Sequence, residues 1–341
     1  MQQWNFVSTE GLTFAGFARN SDVRTTLYLN ASGTKHTVRL PKGTPRGIFN
    51  LTIVLMHIGG QGPQDPPCKQ DLKLRTHCPN ETLWLDNFTS WFEVSSIVHV
   101  PIQQPDCFLF NTTSPHTYTA LTPGYWNMSS MRWTPTTSGF ATSIPPPRAD
   151  VKMTKKALLV GDSTFRHLQY ASSAFSTYIY AVTPADLEEL LLKGIPYRNN
   201  TVLFLGIGLH SACYRHLQPD MEDMASVLLQ MKEIWKENLV IRSTPEIGII
   251  AGLDYNDKKC VYYTQPRLKL WNNHLRTLAR EYNITFWDIV DITASAGSSP
   301  GKWAETDGTH YCFPNPKSKL CQQLVSMLQI FTEKTLPATV L

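Results

Sequence analysis

The sequence predicts an α/β domain on a mostly parallel sheet over residues 151–341, preceded by a β-rich region over residues 1–150. Three observations predict it. Apolar strand-like runs alternate with amphipathic helical patterns through the second half. The first half follows the two-residue period and turn chemistry of antiparallel strands. Between them "TSIPPPRAD", residues 142–150, is a stiff Pro-rich linker. A parallel sheet of this kind is covered by helices on both faces, giving three layers, and its site lies at the carboxyl ends of the strands.

Within the first half, "RTTLYLNASGTKHTVRL" alternates around an Asn-Ala-Ser-Gly turn, so residues 25–29 and 36–40 are expected to form a hairpin. "GIFNLTIVLMHIGG" is a further strand bounded by glycines, followed by a Pro/Cys-rich stretch over residues 59–79. Trp84, Trp91, Trp126 and Trp133 read as core of a β domain ahead of a sugar platform. In the second half, strands are expected at residues 157–160, 178–182, 202–205, 247–251 and 284–290. Helices are expected at residues 219–239, 266–282 and 318–331. Their apolar stripes, such as Leu268, Trp271, Leu275 and Leu278, recur at steps of three and four and read as core.

The charge balance is 31 Lys plus Arg against 27 Asp plus Glu, a net +4 dispersed without basic or acidic runs, which gives no reason to expect nucleic acid as a partner. Compartment is more legible. Asn-x-Ser/Thr sequons occur at Asn30, Asn50, Asn80, Asn87, Asn111, Asn127, Asn199 and Asn283, more than these residue frequencies give by chance. Seven cysteines, without a CxxC pair, favour disulfides over zinc. Both features predict a glycosylated, secreted or luminal protein. "MQQWNFVSTEGL" has no basic n-region or apolar h-region, and no run of 18 apolar residues occurs, so the expectation is a fragment lacking its signal or anchor, with no membrane span of its own.

Three loops at strand ends carry candidate chemistry. The first is Gly161-Asp162-Ser163-Thr164-Phe165-Arg166, an apolar run that stops and resumes as a helix. "LFLGIGLHS" puts Gly206, Gly208 and His210 past a buried strand, and "WAETDGTHYCFP" holds Asp307 and His310 shortly before the last helix. Gly-Asp-Ser alone is weak, and so is Asp-x-x-His; the three in this order are selective. A serine hydroxyl needs an adjacent base. His310 would take the Ser163 proton while Asp307 fixes the imidazole tautomer. The amides of Ser163 and of Gly206 or Gly208 would form the oxyanion hole. No metal is required.

These motifs resemble the SGNH (GDSL-type) hydrolase superfamily, and within it the PC-esterase branch. "VGDSTFRHL", "LGIGLH", "WNNHLRTLA", "YNITFWDI" and "DGTHY" are similar in order and character to the C-terminal domain of the neurexophilin-and-PC-esterase (NXPE) family. They are also similar to the trichome-birefringence-like and sialic acid O-acetyltransferases. The resemblance covers residues 150–335 well and the first half loosely. It implies an SGNH-like three-layer fold, with Ser163 as nucleophile, Asp307 and His310 as the other triad members, and Gly161 and Asp162 completing the first motif. Arg166 matches a basic residue that often follows Gly-Asp-Ser in this branch. Many SGNH enzymes carry Gly-x-Asn-Asp at the second oxyanion position, where this chain has Gly206-Ile207-Gly208-Leu209-His210, so His210 is the candidate replacement.

The expected function is therefore a carbohydrate O-acetyltransferase or O-acetylesterase working through an acyl-serine, with sialic acid among the candidate glycans. No tightly bound cofactor is implied, and acetyl-CoA or another acetyl donor would be a co-substrate. The partner would be a glycan or glycoprotein, with a protein partner for the N-terminal region. The alternative is a non-catalytic secreted or luminal binding protein that keeps the fold, discriminated by the distance between Ser163 and His310. Cys312 is expected to pin the His310 loop through a disulfide to Cys321 or Cys260.

Overall fold

Antiparallel pairing organises the first half, as its two-residue period requires. The computed structural model describes residues 3–7, 12–32, 35–41, 43–45, 47–59, 82–84, 96–100, 124–136, 155–171, 177–195, 200–214, 217–246, 265–297, 310–312 and 315–334. The first ten strands are β1 (Gln3–Val7), β2 (Leu12–Arg19), β3 (Val23–Thr26), β4 (Tyr28–Ser32), β5 (Lys35–Arg39), β6 (Gly47–Gly59), β7 (Thr82–Trp84), β8 (Ser96–Val100), β9 (Gly124–Asn127) and β10 (Arg132–Pro135). They form one sheet of order β1-β5-β4 and another of order β10-β9-β3-β2-β6-β7, in which β8 also pairs with β6.

The expected hairpin is displaced. Its limbs are β4 and β5, with Leu29 opposite Val38 and Ser32 opposite Lys35, so Asn30–Ser32 extend the strand. Residues 23–26 instead pair with β2 and β9. The switch falls at Leu27, which is buried with Val38 and Phe49 and donates its N–H to the Gly16 carbonyl at 2.9 Å. Burying that side chain fixes where the chain leaves one sheet for the other.

The second half has the expected α/β class. Along the chain run β11 (Lys156–Gly161), α1 (Ser163–Tyr170), β12 (Thr177–Tyr180), α2 (Pro184–Lys193), β13 (Thr201–Gly206), α3 (Leu209–Tyr214), α4 (Leu217–Trp235), β14 (Leu239–Arg242), α5 (Gln265–Glu281), β15 (Thr285–Trp287), α6 (Val290–Gly297) and α7 (Lys319–Lys334). The strands form a sheet of order β12-β11-β13-β14-β15, with every pair parallel. Two elements differ from expectation. The helix expected to reach residue 239 ends at Trp235, followed by a 3₁₀ turn whose Lys236 has φ 49°, which frees Leu239–Arg242 to be the fourth strand. The strand expected at 247–251 lies outside the described residues. At the last strand, Asp288 accepts the Val290 N–H and starts α6, so the expected strand over 284–290 stops at Trp287.

Alternation along the strands builds two cores. Leu158, Val160, Leu203, Leu205 and Ile241 face Leu187, Met224, Leu228, Trp271 and Leu275 on α2, α4 and α5. Ala157, Leu159, Phe204 and Val240 face the opposite layer, with Phe165, Ile292, Leu324 and Leu328 from α1, α6 and α7. The β-rich half seals that second layer. Trp126 and Trp133 belong to its core, fully buried, and the Trp133 N–H donates to Gln323 on α7 at 3.0 Å. Arg24 donates through Nε to the Ser295 carbonyl at 2.6 Å, a cation at the carboxyl end of α6, with burial and nearby Arg19 pushing its pKa down to about 9. The side chains of Trp84 and Trp91 lie outside the described residues, as does the linker over 142–150. Among the described residues no helix is long and apolar enough to cross a membrane.

Candidate active site

Two glycines bring the central strands together. Gly161 ends β11 opposite Gly206, the last residue of β13. A Cβ on Gly161 would lie 2.1 Å from the Gly206 carbonyl oxygen, so only glycine allows this approach. The carbonyl accepts the Asp162 N–H at 3.2 Å. Asp162 then caps α1, its Oδ1 accepting from the Thr164 amide at 3.0 Å and from Thr164 Oγ1 at 2.5 Å. Ser163 is thereby the first residue of the helix, where amides point outward and the dipole favours negative charge.

His310 meets that serine. Ser163 Oγ and His310 Nε2 are 2.7 Å apart across 147 residues of sequence. Asp307 lies outside the described residues. The chain just after His310 is held at two points. Tyr311 donates its hydroxyl to the Glu246 carbonyl, and Cys312 is bonded to Cys321 on α7, one of the two partners the sequence left open. The His167 ring, one helical turn beyond Ser163, packs edge-on against His310 with centroids 4.8 Å apart.

The second loop is shaped by Gly208. Its φ is +127°, and a Cβ there would fall 1.8 Å from Nε1 of Trp271, whose indole donates to the Ile207 carbonyl at 2.9 Å. Gly206 is a strand residue whose missing side chain leaves room for Phe165 and Arg242. His210 is the second residue of α3, half-buried. Burial holds its pKa below the ordinary histidine value and His310 adds to this, against the pull of Asp162 and Asp186, a balance that favours the neutral imidazole. Arg166 is exposed on α1, and its charge reaches Tyr178 and Tyr180 on β12.

Like His167, Tyr178 and Arg242 stand at the site without a motif that marks them in the sequence. The Tyr178 hydroxyl donates to the carbonyls of Gly161 at 3.1 Å and Asp162 at 3.0 Å, tying the edge strand to the serine loop. Burial, reinforced by Asp162, pushes that phenol well above its usual range. Arg242, at the end of β14, lies buried behind Asp162 with Nη2 3.8 Å from Oδ1. Its one signal in the sequence is a lone charge closing the apolar run Leu239–Ile241.

Neither a protein-family model nor a curated protein sequence matches the chain. Solved structures do. One is a lipase/acylhydrolase from Enterococcus faecalis, 14% identical, with 51% of this chain and 95% of that one covered and a TM-score of 0.37. A GDSL-like lipase from Bacteroides thetaiotaomicron is 13% identical over 56% and 93% of the two chains, with a TM-score of 0.38. The C-terminal catalytic domain of a Streptococcus pneumoniae peptidoglycan O-acetyltransferase, with a methylsulfonyl adduct, is 18% identical over 53% and 93%, with a TM-score of 0.33.

Proposed function

We propose that the chain is a serine acyltransferase or esterase acting on carbohydrate O-acyl groups, with Ser163 as nucleophile, His310 as general base and Asp307 as the partner that orients His310. The observation that carries this reading is the 2.7 Å contact between Ser163 Oγ and His310 Nε2 at the amino end of α1. A binding protein that merely kept the fold would have no need of it.

The chemistry runs in two balanced halves. Ser163 Oγ attacks the acyl carbon of the donor while its proton passes to His310 Nε2. The tetrahedral oxyanion is stabilised by the Ser163 amide and by the amides at Gly206 or Gly208, with neutral His210 as an additional donor in place of the asparagine common in SGNH enzymes. Collapse breaks the bond to the leaving oxygen or sulfur, which takes the proton back from His310. A second hydroxyl then attacks the acyl-serine, gives its proton to His310 and leaves Ser163 free. If that hydroxyl belongs to water the protein is an esterase; if to a sugar, a transferase.

Acetyl transfer onto a glycan, sialic acid included, is the first reading, following the resemblance to the NXPE and sialic acid O-acetyltransferase families. Acetyl-CoA or another acetyl donor is then a co-substrate rather than a bound cofactor. The sequons and the Cys312–Cys321 disulfide support action in the lumen of the secretory pathway. The test incubates the protein with an acetyl donor and a sialylated glycan. Acetylated glycan supports transfer; free acetate alone turns the reading to esterase; neither product, with a folded protein, removes both.

A further inference from the structure

Arg242 is 3% exposed and Asp162 fully buried, immediately before the proposed nucleophile. The guanidinium makes three contacts there: Nη2 lies 3.8 Å from Asp162 Oδ1, donates to Thr164 Oγ1 at 2.5 Å, and the group sits 3.9 Å over the Phe165 ring. These are consecutive parts of one turn, the cap and the second and third residues of α1. Gly206 is glycine where this cation passes, since a Cβ would come within 2.9 Å of Nη2. Asp162 Oδ2 is buried with no hydrogen-bond partner among the described residues, so hydrogen bonds leave part of this charge to be balanced by a nearby cation.

We propose that Arg242 is a positioning residue of the acyl-transfer site: it balances the Asp162 carboxylate and clamps the first turn of α1, so that the Ser163 amide meets the acyl oxygen beside a neutral pair instead of an uncompensated anion. The inference rests on the acyl-serine reading. An unbalanced carboxylate one residue from the nucleophile would oppose the negative charge developing on the acyl oxygen, strongly so in a water-poor site.

The test measures labelling of the glycosylated full chain by a fluorophosphonate probe, separating the rate constant at saturation from probe affinity, with thermal melts alongside. Arg242→Met is expected to slow the saturated rate about tenfold to a hundredfold at little-changed affinity. Adding Asp162→Asn, which keeps the Oδ1 acceptor that caps the helix but removes the charge, is expected to restore most of it. A purely structural role would lower the melting temperature and leave the double variant no faster than Arg242→Met, and that result overturns the inference. Labelling of Arg242→Met at the wild-type rate overturns it too, and so does a folded double variant that labels tenfold or more below wild type, whether or not Arg242→Met folds. A folded wild type that is never labelled overturns the acyl-serine reading itself, and this inference with it.

Discussion

The Tyr28 hydroxyl donates to the Asp291 carboxylate across 263 residues of sequence, joining the antiparallel half to α6 of the parallel half. Burial raises the Asp291 pKa to about 7, with Asp288 adding to it against the Tyr28 hydrogen bond and Arg276. Glu246 is pushed the same way by burial, to about 8. Both values lie above those of an unfolded chain, so between about pH 4 and pH 8 the folded protein holds protons that the unfolded chain releases. Stability is then present at acid pH and lost as pH rises through that window. The melting temperature is expected to fall by on the order of 5–10 °C from about pH 5 to about pH 8. Asp291→Asn, which still accepts from Tyr28, should shrink that fall. Thermal melts across the range check both, and a flat or rising profile for the wild type contradicts the burial argument.

Cys312–Cys321 closes a loop with a sequence separation of 9, and both half-cystines are buried in the layer with α7. Chain-entropy reasoning gives such a loop about 2.5 kcal/mol. Cys321→Ser is therefore expected to lower stability by roughly that amount and to slow reaction at Ser163, because the stretch carrying His310 loses one of its two anchors. Denaturant melts and probe labelling of the same variant test the two effects separately.

Gly208 combines a backbone at φ +127° with a neighbour, Trp271 Nε1, that a Cβ would overlap. Gly208→Ala must move the indole that bonds the Ile207 carbonyl or reshape the loop, and a cost above about 3 kcal/mol is expected. Gly194 also has a positive φ, 78°, but open space around it, so Gly194→Ala should cost only the backbone term, about 1 kcal/mol. Comparable melts for the two alanine variants would show that the collision at Trp271 is not felt.

If His310 is the base and Asp307 its orienting partner, His310→Ala and Asp307→Asn should each slow acyl transfer by about 10²–10⁴-fold. Their effects should not multiply in the double variant, because the residues act as one unit. Rates on a simple acetyl ester, measured on folded protein, decide this.

Much of this arrangement was legible because it is local. The stripes through Leu268, Trp271, Leu275 and Leu278, or Leu320, Leu324 and Leu328, depend only on helical period, and all these residues are buried. Ser163 at a strand end and His310 before the last helix follow from motif order. The illegible parts depend on which distant segments become neighbours. Arg242 matters because β14 adjoins β13 and places its last residue behind Asp162, and sheet order is not written in any one stretch of chain. The hairpin shifted because Leu27 had to reach a core shared with Val38 and Phe49. The pairing of Trp126 and Trp133, 5.7 Å apart, with the α7 layer likewise crosses from one half to the other.

Everything proposed for the site depends on Ser163 being an activated nucleophile. It is measured directly by fluorophosphonate labelling of the protein beside Ser163→Ala, with melts to show that both are folded. An activated Ser163 gives a labelled wild type and an unlabelled variant, with the adduct on the peptide containing Ser163. A folded wild type that takes no label, or equal labelling of Ser163→Ala, would contradict it.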